Sequence, residues 1–353
     1  MSLPTVDRER LPASAEGRPF AAAEVGVVVI GRNEGERLVR CLAAVGGRGR
    51  AVVYVDSASR DGSPEAARRL GVEVLELDPA RPLSAARARN EGFERLAAVA
   101  PEVRFVQFVD GDCEIAAGWI EAAATALAAR DDVAVVCGRL RELHPEASPY
   151  NRLADLEWDG PTGELEACGG VFMARAEAFR RAGGFDATVL AAEDDEFCLR
   201  VRRGGGKILR LPEFMGWHDM AMTRLGAWWR RAVRAGWAYA QGYALHGRGP
   251  ERHFARQIRG IVAWGLALPA VAVLAAWPTR GLSLLLAVAA YAALYCKVRR
   301  RGLSRGWSAA DARLYAGSIV LAKAPLAYGA LKYAASRLLR RDAKLIEHKG
   351  PTT

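Results

Sequence analysis

The sequence predicts an α/β domain with a mainly parallel central sheet, followed by C-terminal membrane helices. Three observations predict it. Between residues 25 and 245 short β-branched runs alternate with longer helical stretches, the pattern of strands joined by helical crossovers. Those runs are apolar throughout rather than alternating, as strands covered on both faces must be. After residue 256 the composition changes, and residues 261–277 and 281–296 hold no charge at all.

Taken in order, residues 1–22 read as a flexible tail without an apolar core of signal-peptide length. Residues 23–240 form the expected catalytic domain. Its strands are expected at residues 25–30, 52–55, 72–75 and 105–109, where Val, Ile, Tyr and Phe cluster. Helices are expected at 34–44, 63–70, 85–98 and 119–129, most with a polar or glycine-containing stop. Residues 241–260 read as an interfacial linker.

Each uncharged stretch is near the lower limit for crossing a bilayer, about 17 residues at a rise of about 1.5 Å. Arg256 and Arg259 precede the pair, and Lys297, Arg299, Arg300 and Arg301 follow it. By the positive-inside rule, 261–296 is a transmembrane hairpin with both ends cytoplasmic. The competing possibility is a buried helical pair, because Gly265 and Pro269 weaken the first helix. A third stretch, 314–339, is interrupted by Lys323, Pro325 and Lys332. Crossing would carry Arg340, Arg341 and Lys344 outward, so within the basic region 297–353 this stretch is expected to lie in the interface.

The formal charge of +10 is not a nucleic-acid signal. Thirteen Lys or Arg against three Asp or Glu fall between Lys297 and Thr353, which leaves the first 296 residues neutral. That excess adjoins apolar stretches, so membrane lipids are the expected partners and nucleic acid is not. The six cysteines have no regular spacing and suggest neither a zinc site nor a disulfide framework. A reducing cytosolic setting fits them.

Polar groups gather where the strands end. The first run leads into Gly31-Arg32-Asn33-Glu34, the second into Asp56-Ser57-Ala58-Ser59-Arg60-Asp61, and neither offers a dinucleotide or P-loop glycine pattern. In FVDGD, Asp110 and Asp112 follow an apolar strand. Two carboxylates there suit a hard divalent cation, Mg2+ or Mn2+, on a diphosphate; a helix-capping turn is the plainer alternative. Glu193-Asp194-Asp195-Glu196 opens a helix that ends in Arg200, Arg202 and Arg203, as helix electrostatics alone would select. Crowding of four acids also raises at least one pKa, which suits a carboxylate that takes a proton from a hydroxyl.

IGRNEGERLVRCLAAV, VDSASRDGS, SAARARNEGF, FVDGD, ACGGVFMARAEAFRRAGGFD and AEDDEFCLRVRRGG resemble, in the same order, the landmarks of family 2 glycosyltransferases of the GT-A fold. The resemblance covers roughly residues 24–240. It implies transfer of a sugar from a nucleotide diphosphate sugar, with inversion and a divalent metal. Carried over, Arg32, Glu34, Asp56, Arg89, Asn90 and Asp110 would bind the donor, with Arg87 assisting at the phosphates. Asp112 and His218 would hold the metal, with Asp219 as the alternative to His218. Asp194 would be the catalytic base, with Asp195 the alternative, and Gly169, Gly170 and Glu193 would face the acceptor. Ser57 and Ala58 stand where the family commonly has Asp or Ser and then Gly, which leaves the geometry of that turn open.

The segment Leu225 to Gly242 sets Trp228, Trp229 and Trp237 among Arg230, Arg231 and Arg234, a composition suited to a headgroup boundary or to a diphosphate. The expected activity is therefore inverting, metal-dependent sugar transfer to a lipid-linked or polysaccharide acceptor, with the catalytic domain at the cytoplasmic face of the membrane. Two rivals are a sugar-1-phosphate nucleotidyltransferase and a non-catalytic scaffold that retains a nucleotide-sugar pocket.

Overall fold

The first strand, β1 (Val25–Gly31), shows why these runs are apolar on both faces. Val27 and Val29 join one core with Leu38, Leu42 and Trp119, while Val28 and Ile30 join a second with Phe93, Phe108 and Phe172. A sheet with a core on each side leaves no strand face for water. The computed structural model describes residues 21–339 apart from Arg48. Most of the expected tail, and Arg340, Arg341 and Lys344, lie outside the described residues.

After β1 come α1 (Glu36–Val45), β2 (Val52–Asp56), α2 (Ser63–Arg69), β3 (Glu73–Glu76), α3 (Ala85–Val99) and β4 (Phe105–Asp110), each within a residue or two of its expected bounds. β1 pairs in parallel with β2 and β4, and β2 with β3. The chain continues through β5 (Cys113–Ile115), α4 (Trp119–Ala129), β6 (Val133–Glu142), α5 (Pro149–Trp158), β7 (Gly163–Leu165), β8 (Phe172–Arg175), α6 (Ala176–Arg181), α7 (Glu193–Arg203) and β9 (Lys207–His218). The sheet order is β3-β2-β1-β4-β8-β6-β9-β5, with β7 added on β9. Its first four strands are parallel, and β8 then runs antiparallel to both β4 and β6. That reversal leaves the carboxyl ends of β1, β2 and β4 facing one open crevice.

A 22-residue helix, α8 (Leu225–His246), runs straight through residue 240. Beyond it, α9 (Ala255–Gly260), a π-helical stretch (Ile261–Ala267) and α10 (Leu268–Leu274) form one helical length, and α11 (Leu282–Ser304) returns beside it. The π stretch precedes Pro269, a usual way for a helix to continue past a residue with no N–H to donate. Gly265 is a packing position: a Cβ there would come within 2.7 Å of the Lys323 carbonyl oxygen. Ser283 Oγ donates to the Ala272 carbonyl at 2.7 Å and ties the two arms together. Only 11% and 6% of the most apolar windows of these arms are buried, so they are not a pair enclosed in a soluble domain.

The last described helices, α12 (Ala309–Leu321) and α13 (Lys323–Leu338), make a third length that is long and apolar enough to cross a membrane. They also dock on the catalytic domain. Arg152 of α5 grips Asp311 of α12 with two bonds of 2.7 and 2.8 Å. α13 lies on α8, where the Trp237 and Tyr333 rings meet edge-on at 5.3 Å. The two backbones touch: a Cβ on Gly236 would fall 2.1 Å from the Leu326 carbonyl oxygen, and one on Gly329 2.0 Å from that of Val233.

Candidate active site

Asp112 lies in the tight turn between β4 and β5 and is buried. β5 pairs antiparallel with the end of β9, in a register that sets His218 opposite Cys113. His218 Nε2 therefore reaches Asp112 Oδ2 at 3.0 Å, from 106 residues away in the chain. The imidazole stacks on Trp158, with ring centres 4.8 Å apart and planes at 21°. Burial pulls its pKa below the ordinary value, against the opposing pull of Asp110 and Glu142, and so keeps the neutral form that can ligate. Asp219 donates its backbone N–H to the Asp112 carbonyl at 2.9 Å but turns its carboxylate toward Arg40, at 4.0 Å, so the His218 ring is the side chain set against the Asp112 carboxylate.

These two groups fit a divalent cation. Neighbouring positions on a six-coordinate ion with bonds of about 2.1 Å lie about 3 Å apart, which is the observed separation. The carboxylate oxygen suits Mg2+ or Mn2+, and the imidazole nitrogen favours Mn2+, the softer of the two. Cys113 Sγ lies close to both. Burial first, and then Asp110, push its thiol well above the ordinary value, so it stays protonated beside them.

Arg89, on α3, ties the two halves of the site together. Its Nη2 bonds Asp110 Oδ1 and its Nη1 bonds Glu193 Oε1, both at 2.8 Å, with its guanidinium over the Phe185 ring at 5.4 Å. Burial works against its charge, but Asp110, Glu193 and Asp194 more than offset that and hold it protonated. Gly170 passes so close that a Cβ there would sit 2.2 Å from Arg89 Nη2. A side chain at that point would have to push the guanidinium off its two carboxylates. Gly169 lines the same cleft with open space about it.

The four acids at the start of α7 divide into two kinds. Glu193 is committed to Arg89, and Glu196, buried, to Arg200 at 2.7 Å and to His246 Nε2 at 3.0 Å. Asp194 and Asp195 face the cleft. Burial, and then Glu193 and Asp195, push the Asp194 carboxyl well above the usual carboxylate range, with Arg89 opposing. Burial and Glu193 push Asp195 up to about 6. Helix electrostatics accounts for acids here, but not for two that remain turned toward an open crevice.

Three expected donor contacts take other positions. Asp56 is 1% exposed and accepts from Tyr54 Oη and Ser59 N, both at 2.8 Å. It therefore fixes the turn behind the cleft wall, and Ser57 and Arg60 do the lining. In that turn Ala58 has φ +62°, the left-handed region. Asn90 spends both ends of its amide on the Phe185 backbone, each bond 2.8 Å, so it holds a loop. Arg87 is buried and bonds Glu91 and the Asp78 and Arg81 carbonyls. Arg32, Glu34, Arg89, Asp110, Asp112, Gly169, Gly170, Glu193, Asp194 and His218 all line one cleft of about 1320 Å³.

Sequence reasoning missed the rest of that cleft. Trp158, which seats the His218 ring, carries no periodic or motif signal in its surroundings. Tyr239 of α8 and Tyr315, Ile319 and Leu326 of α12 and α13 also line it. Those residues read as membrane-facing until tertiary packing is known.

The sequence matches the glycosyl transferase family 2 pattern over residues 26–179. It is 28% identical over 276 residues to a pre-mycofactocin glycosyltransferase of Mycobacterium tuberculosis, covering 74% of this chain and 55% of that protein. The same figures hold for the protein from a second strain of that organism. The chain thus spans about half the length of the curated relatives it matches. Among solved structures, the mannosyltransferase PcManGT from Pyrobaculum calidifontis, in complex with GDP-Man and Mn2+, superposes with a TM-score of 0.58 at 22% identity, over 88% of this chain and 87% of that one. At that identity the likeness is one of fold.

Proposed function

Given that the chain is a family 2 glycosyltransferase on the GT-A fold, we propose that it moves a sugar from a nucleotide diphosphate sugar to a hydroxyl of a lipid-linked or glycan acceptor. Transfer inverts the anomeric carbon and depends on Mg2+ or Mn2+. One observation carries this reading: the Asp112–His218 pair and the acids Asp194 and Asp195 open onto the same cleft. The mannosyltransferase PcManGT, which shares this fold, is in complex with GDP-Man and Mn2+, and that supports a nucleotide-sugar donor with a divalent cation here.

Arg32, Glu34 and the turn fixed by Asp56 receive the nucleoside, and Arg89 with Asp110 orients what lies beyond it. A divalent cation held by Asp112 and His218 would supply positive charge to the diphosphate as that group leaves. Asp194 takes the proton of the acceptor hydroxyl, whose oxygen attacks the anomeric carbon from the far side of the leaving group. Glu193 holds Arg89 beside it.

The three long apolar helices support action at a membrane. Basic residues at both ends of the hairpin favour the cytoplasmic face for the catalytic domain. The contacts of α12 with α5 and of α13 with α8 favour a third length lying along the interface. The test is to supply the purified full chain in phosphatidylcholine nanodiscs with nucleotide sugars and Mn2+. Release of a nucleoside diphosphate that stops with Asp194→Asn is expected. In a parallel reaction with a nucleoside triphosphate and a sugar 1-phosphate, release of pyrophosphate would instead identify a nucleotidyltransferase.

A further inference from the structure

The two halves of the cleft differ in chemistry. The donor half is polar and acidic, whereas the other is walled by Trp228, Ala235 and Tyr239 of α8 and by Tyr315, Ile319 and Leu326 of α12 and α13. Two guanidiniums enter this apolar half, Arg231 and Arg234, three residues apart and so on one face of α8. Arg231 is answered by Glu157 at 2.8 Å. Arg234 has no carboxylate within ion-pair distance among the described residues; its one bond is to the Leu190 carbonyl, at 3.3 Å. Leu190 belongs to the loop that leads into Asp194. A half-buried guanidinium without a counter-ion, beside apolar walls continuous with membrane-competent helices, is built for an anion that arrives with an apolar chain.

We propose that this half of the cleft binds a lipid-borne phosphate or diphosphate: Arg234 takes the phosphate, and the α12–α13 wall takes the first part of the chain. The proposal rests on the glycosyl-transfer reading above and narrows its acceptor to an amphiphile that carries both a phosphate and the reacting hydroxyl. In the transfer, the acceptor O–H gives its proton to Asp194 and its oxygen bonds to the anomeric carbon. The bond from that carbon to the donor diphosphate breaks, and its electron pair leaves on the nucleoside diphosphate. Arg234 is a specificity residue, since it touches the acceptor away from the reacting atoms. The third helical length, α12 and α13, then serves as part of the substrate site as well as an anchor.

Binding of dodecyl phosphate, inorganic phosphate and dodecyl glucoside to the full chain in phosphatidylcholine nanodiscs tests this, read by the change in tryptophan fluorescence. Dodecyl phosphate is expected to bind at least about tenfold more tightly than either of the others, since only it offers both the anion and the chain. Arg234→Ala should weaken dodecyl phosphate by about tenfold, the loss of one charge-assisted contact, while Arg234→Lys keeps most of the affinity. Ile319→Ser should weaken dodecyl phosphate and leave inorganic phosphate unchanged. Equal binding of inorganic and dodecyl phosphate would overturn the lipid assignment. Dodecyl phosphate binding that ignores Arg234→Ala would overturn the site. Donor affinity, measured in the same nanodiscs with a nucleotide sugar and Mn2+, separates the two readings: donor binding without alkyl phosphate binding sinks this proposal alone, and absence of donor binding sinks the transfer reading beneath it.

Discussion

His218 Nε2 stands 3.0 Å from Asp112 Oδ2 because β5 and β9 pair in one register and no other. A slip of one residue would turn His218 to the opposite face of the sheet and separate the pair. The pair therefore acts as one unit toward a cation. Asp112→Ala is expected to abolish saturable Mn2+ binding, measured by calorimetry, and to lower transfer by at least about a thousandfold, several kcal/mol of barrier. Chelation should silence the wild type and added Mn2+ restore it. Full activity after exhaustive chelation would refute the assignment.

Asp194 and Asp195 should set the acid limb of the pH profile. Both carboxyls are raised, Asp195 to about 6 and Asp194 well above the ordinary range. A raised carboxylate is neutral, and useless as a base, until pH climbs past it, so kcat/KM should rise with pH above the usual carboxylate range. Asp195→Asn removes a charge that pushes Asp194 up, and the limb should move to lower pH. Asp194→Asn should cost about a hundredfold to ten-thousandfold in kcat with donor binding kept. The stability effect runs the other way from that of a paired carboxylate. The native state holds the Asp195 proton more tightly than the unfolded chain, so this group's contribution is lost as pH rises through about 6.

Much of this was legible in the chain because buried parallel strands leave an apolar imprint that helices between them do not share. β1, β2 and β4 end in Gly31, Asp56 and Asp110, and the crevice follows from topology alone. Side-chain pairings, near or far along the chain, were not legible in the same way. Neither motif nor periodicity tells that Asn90 will hold Phe185, that Arg87 will turn to the Asp78 and Arg81 carbonyls, or that Asp56 will be used up by Tyr54 and Ser59. Polar residues near a site look alike in sequence whether they face the ligand or brace the wall. The same limit hid the inner face of α12 and α13, since apolar residues that line a cleft and those that meet lipid have the same composition.

The contact of α8 with α13 depends on Gly236 and Gly329, where backbone meets backbone. A valine at Gly329 would drive its Cβ into the Val233 carbonyl, which cannot swing aside as a side chain would. Gly329→Val is expected to part the helices at a cost of about 1–3 kcal/mol. Proteolysis should then cleave between α12 and α13 sooner, and acceptor-dependent transfer should fall while donor binding stays. Unchanged proteolysis and transfer would show that the helices do not depend on this approach.

Ala58 keeps a left-handed backbone, φ +62°, in the turn that Asp56 anchors. A Cβ in that region costs about 1–2 kcal/mol, and glycine avoids it while adding freedom to the unfolded chain worth about half as much. Ala58→Gly is therefore expected to stabilise the protein by roughly 0.5–1 kcal/mol, seen as a rise in Tm of a few degrees. Ala58→Val should do the reverse, because a branched side chain tolerates this conformation least. Since Ser57 and Arg60 line the cleft from the same turn, the valine variant should also raise the KM for donor. If glycine lowers Tm, the turn is held by its neighbours strongly enough that the strain at Ala58 does not count.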